Sequence, residues 1–134
     1  MINLKDIVTI KIPYPDTLSD LAKNSHMYIC IGTSDTSYEL VKCQSFKPYH
    51  SFPKSEPIHR IIENSDTTRN PFRHITIIDL DKIFIISQKI LPDSLKITKG
   101  VCDELYNEIK AKLSETTKRI ILSDAEFQAL NRKK

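Results

Sequence analysis

The stretch Ser25–His50, SHMYICIGTSDTSYELVKCQSFKPYH, decides the fold. β-branched and aromatic residues flank four small turn formers, Ser34 to Ser37, so the stretch reads as two strands joined in a hairpin. Met27 to Ile31 is apolar at every position, which marks a strand covered on both faces. In an antiparallel pair the start of the first strand lies beside the end of the second. His26 and Ser45 are therefore expected near one edge of the sheet, with Lys47 and His50 just beyond. An imidazole, a hydroxyl and an ammonium in one neighbourhood suit the handling of a phosphodiester. The same residues also suit a plain surface hairpin.

Working outward, Ile7 to Ile12 alternates as a half-buried strand does, and Pro13 and Pro15 end it. Asp16 to Ser25 reads as a polar loop. From Phe46 to Arg73 four prolines lie among polar residues, a long excursion in which Ile58 to Glu63 suits a short helix. Its five cations against three acids, counting Lys and Arg against Asp and Glu, make it the main supply of phosphate contacts. His74 to Leu80 and Lys82 to Ser87 resume strand chemistry, and Ile90 to Ile97 reads as a strand broken at Pro92. Val101, Leu105, Ile109 and Leu113 recur every four residues and predict an amphipathic helix from about Val101 to Thr117. Ser123 followed by Glu126 is a capping box opening a last short helix.

The 134 residues fit one domain, with residues 46–73 as an inserted loop and 119–134 as a C-terminal extension. A hydrophobic content of 40% and a net charge of +3 fit an ordinary soluble chain with only slight preference for polyanions. No apolar run reaches the roughly 18 residues of a membrane span, and Met1 to Asp6 lacks the layout of a secretory signal, so a cytoplasmic location is expected. Cys30, Cys43 and Cys102 are odd in number and have apolar neighbours, which predicts buried reduced thiols and no metal or other cofactor. Five or six short strands with no helix between them until the end predict a mainly β fold with helices (α+β), a small bent barrel covered by a C-terminal helix.

Three segments resemble the MazF/PemK (Kid) toxins of toxin-antitoxin systems: Lys5 to Ile10, Met27 to Gly32, and Leu95 to Leu113 with its Lys99-Gly100-Val101 turn. Together they cover about half the chain in the family's order. Ser45-Phe46-Lys47 also resembles the Thr-Ser-Pro-Lys stretch of ToxN-type RNases of the same fold. The resemblance implies an SH3-like barrel, a homodimer, metal-independent cleavage of single-stranded RNA, and a small acidic antitoxin as partner. Where the family has an arginine before its second strand this chain has His26, and where it has a catalytic threonine this chain has Ser45, or Gln44 on a one-residue change of register. On this reading His26 is base or acid, and Ser45 or Gln44 holds the phosphate or the 2′-hydroxyl. Lys47, Arg69 or Arg73 supplies positive charge, His50 adds a further contact, and Phe46, Tyr49 and Phe52 stack on bases. The rival expectation is a non-catalytic barrel that binds nucleic acid or poisons a protein target, as the related CcdB does.

Overall fold

A computed structural model describes residues 1–46, 57–97 and 99–131 of the chain. The hairpin forms as its side chains require: β2 (His26–Thr33) and β3 (Ser37–Ser45) are antiparallel, with Tyr28 opposite Lys42 and Ile29 opposite Val41. The Ser34 hydroxyl accepts from the backbone N–H of Thr36 and Ser37 and so closes the turn. β1 (Ile7–Ile10) lies antiparallel along the outer edge of β2.

The far edge of β3 is shared by two strands. β5 (Thr76–Asp79) pairs with its end at Cys43–Ser45, and β6 (Lys82–Ser87) with its start at Ser37–Leu40. The chain bends at Leu80-Asp81, where the Asp79 carboxylate accepts from the Asp81 N–H at 2.9 Å. β4 (Arg60–Glu63) adds to β5, and β7 (Lys118–Ile121) runs parallel to β6. The described strands form an open, branched, mainly antiparallel sheet of seven strands in the order β1-β2-β3-β5-β4, with β6 and β7 departing from β3. Where the strand pattern predicts a bent barrel, the described strands form an open sheet that branches at β3.

Each face of this sheet has its own core. On one, Tyr28, Cys30, Leu40 and Phe84 pack against Ile12, Leu21 of α1 (Asp20–Lys23) and Phe127 of α3 (Asp124–Leu130). On the other, Ile29, Ile31, Val41 and Ile78 pack against Leu105 and Ile109 of α2 (Asp103–Lys112). Tyr28 to Ile31 are at most 1% exposed because both faces are covered. Cys30 and Cys43 are buried free thiols, and Cys102 is a half-buried one that caps α2.

Four local expectations are corrected. The loop at Asp16 to Ser25 holds α1, capped by Ser19, because Leu21 and Ala22 are drawn into the core. Ile58 to Glu63 gives strand β4 in place of a helix, since Ile61 and Ile62 find partners in Ile78 and Ile77. The broken strand at Ile90 to Ile97 is a 3-10 turn at Asp93–Leu95 followed by a single bridge from Lys96 to Val8. The helix ends at Lys112, where the hydroxyls of Ser114, Thr116 and Thr117 form a turn that leads into β7. With β7 in the sheet and Phe127 fully buried, residues 119–131 are integral to the fold.

Candidate functional site

Register decides which hairpin side chains meet. Near the turn Thr33 faces Tyr38 and Gly32 faces Glu39, an alignment that, if continued, brings His26 opposite Ser45. A bulge between Cys30 and Gly32 slips the pairing by one residue, so Cys30 faces Leu40 and Met27 faces Cys43. One step further aligns His26 with Gln44. Because side chains alternate, His26 lies on the face of Tyr28 and Cys30, while Ser45 lies on the α2 face with Val41 and Cys43. The expected meeting of His26 and Ser45 is therefore not made; the two are on opposite faces of the sheet.

What does gather around His26 is a different set. Its Nδ1 is 3.1 Å from the Asn24 carbonyl, which can only accept, so in the neutral ring Nδ1 carries the proton and Nε2 keeps its lone pair. Nε2 is 3.7 Å from the Asp20 carboxylate, and the side chain is 17% exposed. Asp20 is itself placed by α1 and by the Asn24 amide, which donates to it at 2.8 Å. Burial and the nearby Lys42 ammonium hold the imidazole below its ordinary pKa, outweighing the Asn24 carbonyl and Asp20. Burial likewise lowers the pKa of Lys42; Asp79 opposes this and Lys82 adds to it. Asp79 is buried and accepts from the Lys82 ammonium at 3.2 Å, and Arg60 is its cross-strand partner on β4. The Tyr28 hydroxyl, opposite Lys42, is buried with no hydrogen-bond partner among the described residues, and burial pushes its pKa far up.

Of this set the sequence reading names only His26 and Gln44; Asp20, Tyr28, Lys42 and Asp79 are not in it. Lys42 was legible in principle, since it stands two residues before Gln44 and shares its face. Asp79 was not, because its approach depends on how β5 docks on β3. The arrangement sets a half-buried imidazole, its Nε2 towards the Asp20 carboxylate, on the same face as a lysine of lowered pKa at a strand end.

The remaining expected site residues divide. The Arg69 guanidinium is on the α2 side, clamped by Glu63 at 2.9 Å, Glu108 at 2.6 Å and Glu104 at 3.4 Å. Asn70 also donates to Glu63, at 2.7 Å. Arg69 fastens the loop after β4 to α2, so the guanidinium expected to meet a phosphate is engaged by three carboxylates. Arg73 is exposed in the segment that enters β5, and the Phe46 N–H donates to the Ile75 carbonyl at 2.7 Å. Lys47, Tyr49, His50 and Phe52 lie outside the described residues. Among the described residues no group of three His, Cys, Asp or Glu has the arrangement to hold a metal, and no helix is long and apolar enough to cross a membrane. Comparison with protein-family models, with curated proteins and with solved structures returns no match.

Proposed function

We propose that this protein is a MazF/PemK-like toxin that cleaves single-stranded RNA through the ribose 2′-hydroxyl without a metal, acts as a homodimer, and is neutralised by a small acidic antitoxin. The observation that carries the reading is that His26, its Nδ1 facing the Asn24 carbonyl, shares one face of the hairpin with Lys42 where β3 ends. The mainly antiparallel sheet branching at β3, with α2 packed on one face, is compatible with descent from an SH3-like barrel.

In this mechanism His26 Nε2 takes the 2′-hydroxyl proton and the 2′-oxygen attacks phosphorus. The phosphorane's charge is met by the Lys42 ammonium and the Gln44 amide. The 5′-oxygen leaves with a proton from Lys42, whose lowered pKa makes it the better acid. The products are a 2′,3′-cyclic phosphate and a free 5′-hydroxyl. Ser45 has no part in it.

Incubation with mixed RNA in chelator tests this. Wild type is expected to leave cyclic-phosphate ends, His26→Ala and Lys42→Met to lose on the order of 100-fold or more, and Ser45→Ala to stay within a few-fold. Intact RNA at high enzyme excess would overturn the nuclease reading. That outcome would favour the rival, a binding barrel. One observation suits the rival: Ile62 and Ile75, 48% and 45% exposed, leave apolar surface at the β4 side of the sheet for a protein partner.

A further inference from the structure

A row of lysines leads away from His26. The β3–β6 ladder ends at Leu40 opposite Phe84, two residues short of Lys42 and Lys82; Lys82 donates to Asp79 at 3.2 Å and stands directly opposite Lys118 in the β6–β7 ladder. Lysines from β3, β6 and β7 thus follow one another on one face of the sheet. Lys118 reaches the Tyr14 hydroxyl at 3.3 Å and stands 5.8 Å from the centre of its ring. Tyr14 is half-buried and edge-on to Phe84, so part of an aromatic ring lies beside the row.

The row ends at a cleft of about 310 Å³ between the Leu80-Asp81 bend and the segment after α2, lined by His59, Lys112, Ser114, Thr116, Thr117 and Lys118 among others. The one acid among its described lining residues is already engaged. The Asp81 carboxylate accepts from the backbone N–H of Ile58 and of His59, each at 2.8 Å, and lies 3.0 Å from the His59 ring. The His59 ring is engaged with that carboxylate, and Lys112, Lys118 and the hydroxyl-bearing Ser114, Thr116 and Thr117 line the rest, a set suited to a phosphate.

We propose that this cleft is a phosphate subsite for single-stranded RNA: a strand with its scissile phosphate at His26 and Lys42 runs across Lys82 and sets a flanking phosphate between Lys112 and Lys118. The identity of the polymer rests on the nuclease reading. The subsite itself rests on the row and the cleft.

The probe is a fluorescent RNA oligonucleotide methylated at every 2′-oxygen, which binds without being cut, titrated at several salt concentrations. The double variant Lys112→Ser/Lys118→Ser is expected to bind roughly tenfold more weakly at low salt, and its slope of log Kd against log salt is expected to be shallower by about 0.7 for each phosphate that is no longer neutralised. Lys112→Arg/Lys118→Arg retains the slope, Lys89→Ser on the distant exposed turn changes nothing, and melting curves establish that each variant is folded. An unchanged slope in the folded serine variant overturns the subsite, as does a weakening confined to an acidic peptide in place of RNA. If wild type leaves unmethylated RNA intact but the serine variant still has the shallower slope, the nuclease reading falls and the subsite stands. If wild type cuts and the serine variant binds like wild type, the reverse holds.

Discussion

Asn24 determines what His26 can do: its carbonyl fixes the proton on Nδ1, and burial with Lys42 keeps the ring neutral below its ordinary range. On the proposed nuclease reading, the lowered pKa of the folded ring keeps His26 able to act as base as the pH falls through about 6.5, so cleavage should fail only at lower pH. Removing the Lys42 charge takes away one of the two causes, so an NMR titration of the ring in Lys42→Met should give a higher pKa than in wild type. An unmoved pKa would break the link between the two side chains. The same sign governs stability, since the unfolded ring binds its proton first: His26 contributes stability above its unfolded pKa that is lost as the pH falls towards the folded one. Arg69 makes the opposite case. Chosen from the sequence for its charge, it is held by three glutamates, which no local pattern announces because Glu104 and Glu108 come from a helix far along the chain. Arg69→Ala should lower denaturation midpoints more than Glu104→Ala, which changes an exposed side chain and stays within about 0.5 kcal/mol, because only the first strips the buried Glu63 of its cation. On the proposed nuclease reading, cleavage per folded molecule should not change.

Elements were legible where their own residues decide them. The hairpin, the four-residue stripe of α2 and the Ser123 cap of α3 all follow from local chemistry, and Ser123 accepts from the Glu126 N–H as the capping box requires. Elements decided by a remote partner were not. β4 and β7, four residues each, depend on the strands beside them, and α1 on the core that takes up Leu21. The bulge between Cys30 and Gly32 belongs to the same class, and it is what separated His26 from Ser45. Its glycine is nonetheless the more tolerant of the chain's two. A Cβ at Gly32 would meet the Glu39 carboxylate, the movable end of a side chain, whereas at Gly100 it would come within 2.2 Å of the Lys5 carbonyl, which is main chain and accepts from the Val101 N–H. Gly100→Ala is expected to cost about 2 kcal/mol in chemical denaturation and Gly32→Ala less than about 1. The reverse order would mean that the segment before α2 yields more readily than the hairpin.

At the scale of the whole molecule, the strand pattern did not say that β3 would carry two partners on one edge, because that depends on where the chain bends between β5 and β6. The sharing has an energetic consequence. Among the described residues the two cores lie on opposite faces of the sheet and are joined through β2 and β3, whose alternate side chains feed both. If either core loosens, the strand between them loses the surface that fixes its pleat, so both should fail together and not in sequence. Leu105→Ala hollows the α2 side, and Phe127→Ala hollows the α3 side; both side chains are fully buried, and each truncation is expected to cost about 3 to 4 kcal/mol. Followed in urea by far-ultraviolet dichroism and by tyrosine fluorescence, each variant should show one coincident transition at a lower midpoint with the wild-type slope. Tyr28 and Tyr38 report the α3-side core and Tyr106 the α2 side, so a transition that splits between the probes in Leu105→Ala would show that the two layers unfold separately.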